Sequence, residues 1–330
     1  MTRAIFVAPR YAYGRSDWGP SYEMTHLFPA LCAVTDTCEL FDYLDPTLAG
    51  PGDRHDRLFA RQEATDADLV VASLSGDEFR PETFDALRTR ARTVAYFYDD
   101  MWRIDFSRRW AKHFDLVTTS DVNGLAKFRR DNVANAMYSP FGCNLEVFRP
   151  RDIAVQYDVA FVGGASTLRK WIVGQIRSWG VNVLAVGPGW PGGPVTTDRM
   201  VEIFGASRIN LNLSNSVSHD IRYVLSSPRA LYGTLRSPKR HEQVKGRHFE
   251  ICASGGFQLS YYVEGLERHF EIRREIAIYT SLEDLRFKIE HYLSADSERI
   301  EIAAAGLARA TRDHSYVARM REIVAAAMVA

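Results

Sequence analysis

The chain has 330 residues, of which 46% are hydrophobic and 25% charged, and its 41 Lys and Arg residues balance 41 Asp and Glu residues. This composition excludes a disordered, collagenous or disulfide-dominated chain, and the zero net charge disfavours a surface that is basic throughout. The length predicts two domains or one unusually large domain. The four cysteines form no Cys-x-x-Cys pair, and the apolar runs are too short to span a membrane. We therefore expect a cytoplasmic protein with no metal site and no membrane span.

Short apolar runs alternate with longer mixed segments in the first half of the chain. Ala4–Ala8 (AIFVA) predicts a buried strand, and residues 20–34 predict the helix that follows it. The later strands of this half are predicted at Cys38–Tyr43, Leu69–Ser73, Thr93–Tyr98 and Leu116–Ser120. Because helical stretches separate the apolar strands, the pattern predicts a parallel sheet that is covered on both faces.

Residues 139–150, with two prolines and a glycine, interrupt this alternation and predict a linker. Strands are then predicted at Tyr157–Val162, Val181–Val186, Ile209–Leu213, Phe257–Tyr261 and Ile276–Thr280. Helices are predicted at Leu168–Trp179, Thr197–Gly205 and Gly246–Ser254, with two long helices at the end. The sequence thus predicts an α/β protein of two doubly wound parallel sheets that are joined near residue 148 and face a central cleft. Ligands are expected at the carboxyl ends of the strands.

The segment Gly187-Pro-Gly-Trp-Pro-Gly192 matches the dinucleotide-binding pattern G-x-G-x-x-G. In that motif the third glycine lies in the helix that receives the pyrophosphate, whereas the prolines here delay a helix until about Thr197. A turn-rich loop is one interpretation. The other is that the loop from Gly187 forms the rim of a nucleotide pocket, with Trp190 as a wall.

A second candidate site follows the strand that ends near Val162. Gly163 and Gly164 allow the backbone to approach a phosphate, and the next helix carries Arg169 and Lys170 in its first turns. These residues indicate a phosphate-binding turn. The alternative is an ordinary strand-to-helix turn with two exposed cations.

The strongest candidate lies at the helix that begins near Gly246. Its entrance is basic, with Lys245 and Arg247, and Glu250 lies one turn inside it. Cations at this place suit a diphosphate, and a carboxylate can accept two hydrogen bonds from a ribose diol. The alternative interpretation of Glu250 is a solvated helix residue.

Two features of the first half are candidates for acceptor chemistry. Asp99 and Asp100 follow a predicted strand, where a carboxylate can orient or deprotonate a sugar hydroxyl, or can cap the next helix. The loop Pro9–Pro20 is rich in Gly, Tyr and Trp and is either an aromatic platform for a sugar or acceptor, or a structured loop.

Several segments in the second half resemble the CgeB-like glycosyltransferases, a group 1 family related to glycosyltransferase family 4. The resemblance rests on the order and spacing of Pro140–Pro150 (PFGCNLEVFRP), Val244–Leu259 (VKGRHFEICASGGFQL), Asp284–Leu293 (DLRFKIEHYL) and His314–Arg319 (HSYVAR). It spans roughly residues 155–325. Glu242 and Glu250 also have the E-x(7)-E spacing of the related family, with Gln-Val-Lys-Gly-Arg-His-Phe between them.

The resemblance implies a GT-B fold of two Rossmann-like domains. Residues 1–148 would bind the acceptor and 149–314 a nucleotide-sugar donor, with a UDP-sugar as the first expectation, and the helix at about 315–330 would return to the N-terminal domain. It further implies that Glu250 binds the donor ribose, that Arg169 or Lys170 meets the diphosphate, and that Glu242 meets the sugar hydroxyls. The resemblance also implies that no metal is required.

The acceptor implied by this resemblance is a small molecule, a glycan, a protein or a nucleic acid. Two other functions stay open for the same fold. One is an epimerase or hydrolase that acts on a nucleotide sugar, and the other is a non-catalytic assembly protein that binds one.

Overall fold

The computed structural model describes residues 1–237, 239 and 241–329. The chain divides into two units, Met1–Pro140 with Tyr316–Ala330, and Phe141–Ser315. The division falls between Pro140 and Phe141, inside the segment 139–150 that predicts a linker and before residue 148.

The N-terminal unit contains a parallel sheet that has six strands within the described residues, in the order β2-β1-β3-β4-β5-β6. The strands are β1 (Arg3–Val7), β2 (Thr37–Phe41), β3 (Leu69–Ala72), β4 (Arg92–Tyr96), β5 (Leu116–Thr119) and β6 (Ala136–Tyr138). Buried apolar side chains fill both faces of this sheet, which is why its central strands β1, β3 and β4 are mostly apolar in sequence.

The C-terminal unit contains a second parallel sheet, five-stranded within the described residues, in the order β11-β10-β9-β7-β8. Its strands are β7 (Tyr157–Val162), β8 (Val183–Val186), β9 (Ser207–Asn212), β10 (Gln258–Tyr261) and β11 (Ala277–Tyr279). Val162 at the end of β7 pairs with Val186 at the end of β8, so the loops that begin at Gly163 and Gly187 leave the sheet side by side.

Helices cover both sheets. In chain order they are α1 (Phe28–Cys32), α2 (Pro51–Thr65), α3 (Pro81–Leu87), α4 (Asp100–Ala111), α5 (Gly124–Arg130), α6 (Thr167–Ser178), α7 (Thr197–Gly205), α8 (Ile221–Val224), α9 (Pro228–Arg236), α10 (Gly246–Ala253), α11 (Leu282–Ser294), α12 (Asp296–Asp313) and α13 (Tyr316–Val329). The prediction of two doubly wound parallel sheets is confirmed.

The last helix, α13, packs on the N-terminal sheet. Its residues Tyr316, Met320 and Ile323 share one core with Phe6 and Val94. The Tyr316 hydroxyl also lies 3.1 Å from that of Tyr22. This helix therefore completes one face of the N-terminal unit, although it ends the chain.

Three parts of the structure differ from the elements that the sequence predicts. The first helix begins with a π-helical turn at Glu23–Leu27 before α1. Strand β6 has only three residues, and all of them are partly exposed. It is therefore too short to be predicted from an apolar run. Helix α9 is not among the predicted helices, although its start carries clear signals. Ser227 caps it by accepting a hydrogen bond from the Ala230 N–H, and Pro228 lies in its first turn.

Candidate functional site

The turn between β7 and α6 forms one side of the candidate site. Ser166 caps α6 by accepting a hydrogen bond of 3.2 Å from the Arg169 N–H. The Gly163 N–H donates to the Val186 oxygen at 2.9 Å, which ties this turn to the end of β8. Gly164, beside it, has only an ordinary contact at 4.0 Å where a side chain would begin.

Arg169 is the best-placed cation of this turn. Its guanidinium donates hydrogen bonds of 3.1 and 3.0 Å to the Leu213 oxygen and of 2.8 Å to the Gly164 oxygen. It also lies over the Phe161 ring, 5.4 Å from the ring centre. Burial lowers the pKa of this guanidinium, and Glu242 opposes that change. Within the described residues Arg169 forms no ion pair, so its charge is available to an anion.

Lys170, the neighbouring candidate, is exposed. The structure therefore separates the two cations of this helix. Arg169 is anchored at the carboxyl ends of β7 and β9, while Lys170 lies at the surface of α6.

The loop after β8 interlocks with the β7–α6 turn. A Cβ atom at Gly187 would lie 2.4 Å from the Gly163 oxygen, and Gly187 has a positive φ of 128°. Only glycine fits there without a shift of the backbone. The Ala165 N–H donates to the Pro188 oxygen at 2.8 Å, which joins the two loops a second time.

Trp190 belongs to the core of the C-terminal unit. It is 8% exposed and packs edge-on against Phe161, and its indole N–H donates to the Gly163 oxygen at 2.9 Å. The ring is used in packing and its donor is satisfied. Trp190 holds the loop against the sheet, and its role as a wall of a nucleotide pocket stays a prediction.

Helix α10 forms the second side of the candidate site. Glu250 is only 4% exposed, and its carboxylate pairs with Arg247 at 2.6 Å, three residues before it. Arg247 also covers the Phe204 ring, with 5.3 Å to the ring centre. Glu250 is thus a buried, paired carboxylate, and the solvated alternative is excluded. Lys245 stands at the N-cap position of the same helix.

His248 holds the start of α10 in place and was not singled out in the sequence. Its Nδ1 lies 3.0 Å from the Lys245 oxygen and its Nε2 lies 3.1 Å from the Ser260 hydroxyl. Burial lowers its pKa to about 4, so the ring is neutral at pH 7. No metal-ligand spacing marks this histidine, and only its buried partners show what it does.

Glu242 lies before α10 and is held by the loop that follows β9. Its carboxylate accepts hydrogen bonds from the Ser216 N–H and, at 2.7 Å, from the Ser216 hydroxyl. Its charge acts on Arg169, and so does that of Arg247, which lowers the pKa of Arg169 further. The structure therefore gathers Arg169, Glu242 and the Arg247–Glu250 pair within electrostatic range of one another.

The candidate carboxylates of the N-terminal unit differ in their exposure. Asp99 has a left-handed φ of 55° and stands at the N-cap position of α4, where it is partly exposed. Asp100 is fully buried at 0% exposure, and its Oδ1 accepts a hydrogen bond from the Ser107 hydroxyl while its Oδ2 has no partner in the described part of the chain. Burial raises the pKa of Asp100 to about 7. Asp100 faces the interior, whereas Asp99 is accessible, and the role of either carboxylate on a sugar hydroxyl stays a prediction.

A pH-dependent stability follows from this buried carboxyl. Its pKa is about 7 in the folded chain and 3.8 in the unfolded one, so the unfolded chain releases the proton first and stability is lost as pH rises from about 4 to 7. Asp100→Asn cannot ionise. We expect its free energy of unfolding, relative to that of the parent protein, to be about 2–3 kcal/mol more favourable at pH 8 than at pH 5. Urea unfolding at both pH values measures this. The exposed Asp105→Asn is the control, and an equal difference at both pH values contradicts the assignment.

Glu23 is a half-buried carboxylate at the same sheet edge that the sequence did not reveal. It lies in the π-helical turn, and the Ser73 hydroxyl after β3 donates to it at 3.2 Å. Burial raises its pKa. Single π-helical turns occur often at functional sites. The sequence predicts an ordinary helix over residues 20–34. The spacing of apolar residues does not distinguish a π-helical turn from an α-helical one, so Glu23 could not be singled out.

Two searches of the described residues give negative findings. No three His, Cys, Asp or Glu side chains lie together as ligands for a metal ion in the part of the chain that the structure covers. Within residues 1–237, 239 and 241–329, no helix combines the length and hydropathy needed to cross a bilayer.

Comparison with known families identifies a domain in the second half of the chain. Residues 169–325 match the model of a family described as glycosyl transferase-like. The match begins at Arg169 and includes Glu242 and Glu250. No curated protein sequence matches the chain.

Comparison with solved structures defines the fold. A sucrose-phosphate synthase from Thermosynechococcus elongatus is similar with a TM-score of 0.65 at 12% identity, over 98% of both chains. Anabaena Alr3699/HepE, solved in complex with UDP, is similar with a TM-score of 0.64 at 11% identity, over 99% of this chain and 100% of that one. AviGT4, a glycosyltransferase of avilamycin A biosynthesis, has a TM-score of 0.61 at 14% identity, over 99% and 97%. The fold of this chain is GT-B.

Proposed function

We propose that the protein is a glycosyltransferase that moves a sugar from a nucleoside diphosphate sugar to a hydroxyl-bearing acceptor. The observation that carries the proposal is the Arg169 guanidinium, which is half-buried at the carboxyl ends of β7 and β9 and forms no ion pair within the described residues. A partly desolvated cation that has no ion-pair partner is stabilised further when an anion binds beside it. The glycosyl transferase-like match over residues 169–325 supports this reading. Within that class we favour the CgeB-like group on its motif order.

The donor is proposed to be a UDP-sugar. HepE, of the same fold, was solved with UDP and with UDP-glucose, and those ligands are facts about that protein. In this chain Arg169 and Arg247 would hold the diphosphate, and Glu250 would accept hydrogen bonds from the ribose. Arg169, Arg247 and Glu250 all lie on the C-terminal unit. We therefore propose that this unit binds the nucleotide sugar.

During sugar transfer, negative charge develops on the leaving diphosphate and must be stabilised. Fixed cations aimed at developing charge lower the barrier because they need no reorganisation during the reaction. Arg169 is fixed by three hydrogen bonds to backbone oxygens, and Arg247 by Glu250. Glu242, which Ser216 holds in place, is proposed to bind hydroxyls of the donor sugar. We propose that the reaction needs no resident metal and takes place in the cytoplasm.

The acceptor is proposed to bind the N-terminal unit. Asp99 and Glu23 are carboxylates at the carboxyl edge of the sheet, and we propose that the half-buried Glu23, in place of the fully buried Asp100, orients an acceptor hydroxyl. A carboxylate that burial keeps protonated at a higher pH than usual can serve as a hydrogen-bond donor or a base.

A thermal-shift panel tests the proposed function. UDP, GDP, TDP and CDP are measured in the presence of EDTA, and the corresponding nucleotide sugars are measured afterwards. A ligand that binds only the folded protein at 100 times its Kd stabilises it by about 2.7 kcal/mol. We expect UDP to raise the Tm in EDTA. No shift with any of the four nucleotides would overturn the proposal, and release of free sugar without an acceptor would reassign the enzyme as a hydrolase.

A further inference from the structure

Two short helices of the C-terminal unit, α8 and α9, expose a cluster of apolar side chains. Five of the fourteen large hydrophobic side chains that are exposed in the described part of the chain lie within residues 221–235, where they are 42% to 76% exposed. They are Ile221, Leu225, Leu231, Tyr232 and Leu235. Single exposed hydrophobic residues are common, but a cluster of them marks a surface that another body covers.

The inner sides of both helices are anchored in the core of the C-terminal unit. Tyr223 of α8 and Ala230 of α9 are buried members of one hydrophobic cluster. Residues four apart lie on the same side of a helix, so Ala230 and the half-buried Thr234 mark the inner side of α9. Leu231 and Leu235, each one position further on, share an outer side. The packing of the inner side therefore keeps these two leucines in contact with solvent.

Two arginines border the apolar side of α9. Arg229 and Arg236 are exposed, and neither forms an ion pair with a described residue. Arg229 lies three residues before Tyr232 and Arg236 four residues after it, so the three side chains share one side of the helix. The Arg236 guanidinium lies over the Tyr232 ring, 5.3 Å from its centre. Long cationic side chains beside exposed apolar ones are typical of helices at a lipid–water interface.

The charge of this segment favours an anionic surface over a second copy of the chain. In the sequence, residues 221–241 contain five Lys and Arg residues and no Asp or Glu. A symmetric dimer would place this segment against itself and bring like charges together, with no carboxylate of the segment to pair with them. A bilayer with anionic lipids offers negative headgroups to the arginines and an apolar layer to the leucines. Tyr232 suits the boundary between the two layers, because its ring is apolar and its hydroxyl is polar.

We propose that α8 and α9 form a membrane-contact surface that binds the headgroup region of a bilayer containing anionic lipids. Leu231 and Leu235 enter the apolar layer beneath the headgroups, and Arg229 and Arg236 meet the lipid phosphates. The contact is peripheral, since only one side of a short helix takes part in it. The inference goes beyond the proposed function, because it needs no nucleotide and none of the residues proposed to bind the donor.

Sedimentation of the full chain with lipid vesicles tests the membrane-contact surface. One set of vesicles is pure phosphatidylcholine, and the other contains about 30% phosphatidylglycerol, so that the two sets differ in charge. We expect the protein to bind the anionic vesicles about 10- to 30-fold more tightly than the neutral ones. This preference should shrink when NaCl is raised from about 0.1 M to about 0.5 M, because salt screens the headgroup charge.

Two pairs of variants locate the contact on α9. Leu235→Glu is expected to lower the affinity for anionic vesicles by about tenfold or more, because it replaces an apolar contact by a like charge. Phe287→Glu on α11 is its control, since that side chain is equally exposed outside the surface. Arg236→Gln is expected to lower the affinity about fivefold. Arg321→Gln, an exposed arginine of α13, removes the same charge elsewhere and should leave the affinity unchanged.

The inference is overturned if the parent protein binds anionic vesicles no better than neutral ones, or if each variant binds as its control does. Circular dichroism checks the fold, and the arginine pair decides the matter if Leu235→Glu does not fold. Light scattering without vesicles tests the other occupant, because a dimer that Leu235→Glu converts into a monomer would assign the surface to a second copy and overturn the inference. Nucleotide binding is measured without lipid, so failure of the proposed function is a separate result.

Discussion

Glu250→Gln is expected to weaken binding of UDP by about 10- to 100-fold. The substitution keeps the side-chain volume but removes the charge that would accept two ribose hydrogen bonds, and hydrogen bonds to charged groups contribute about 1.5–3 kcal/mol each. Calorimetry with UDP and 2′-deoxy-UDP makes the measurement specific. The parent protein should prefer UDP, and the variant should bind both nucleotides about equally.

A structural effect of Glu250→Gln must be separated from this loss. Glu250 is buried against Arg247, so its neutral replacement leaves a cation with a weaker partner and is expected to lower the Tm. Circular dichroism shows whether the variant folds. Glu290→Gln on α11 is the control, because that carboxylate is exposed and pairs with Arg286. A variant that still discriminates between UDP and 2′-deoxy-UDP would contradict the ribose assignment.

Arg169→Met is expected to weaken the binding of UDP by about 10- to 100-fold, while the affinity for uridine changes by less than about twofold. The reason is that a guanidinium meets the diphosphate through charge-assisted hydrogen bonds, which uridine cannot accept. The comparison of the two ligands separates this effect from a general loss of structure, because a damaged site would lose both.

Lys170→Met is the matched control for Arg169→Met. The two residues are adjacent on α6, but Lys170 is exposed and Arg169 is fixed at the carboxyl ends of the strands. We expect the Lys170 variant to bind UDP within about twofold of the parent. If it loses more affinity than the Arg169 variant, the diphosphate lies elsewhere on this helix.

The regular part of the fold could be predicted because each buried parallel strand is an apolar run of its own. The runs Ala4–Ala8 and Tyr157–Val162 coincide with β1 and β7 to within one residue at each end. Strand β6 could not be predicted in this way, because its three partly exposed residues need little apolar surface.

The candidate site was predictable where the backbone itself dictates it. Glycines after a strand followed by a basic helix start placed Arg169 at the sheet edge, and the helix stop at Gly255 and Gly256 defined α10. The burial of Asp100 was not visible, because it depends on the left-handed turn at Asp99, which directs the next side chain inwards.

A crystal structure of the protein with UDP-glucose tests the central claim most directly. The account predicts the diphosphate within hydrogen-bond distance of the Arg169 guanidinium and the ribose hydroxyls against the Glu250 carboxylate. A nucleotide that is bound away from both residues, or no bound nucleotide at saturating concentration, would contradict it.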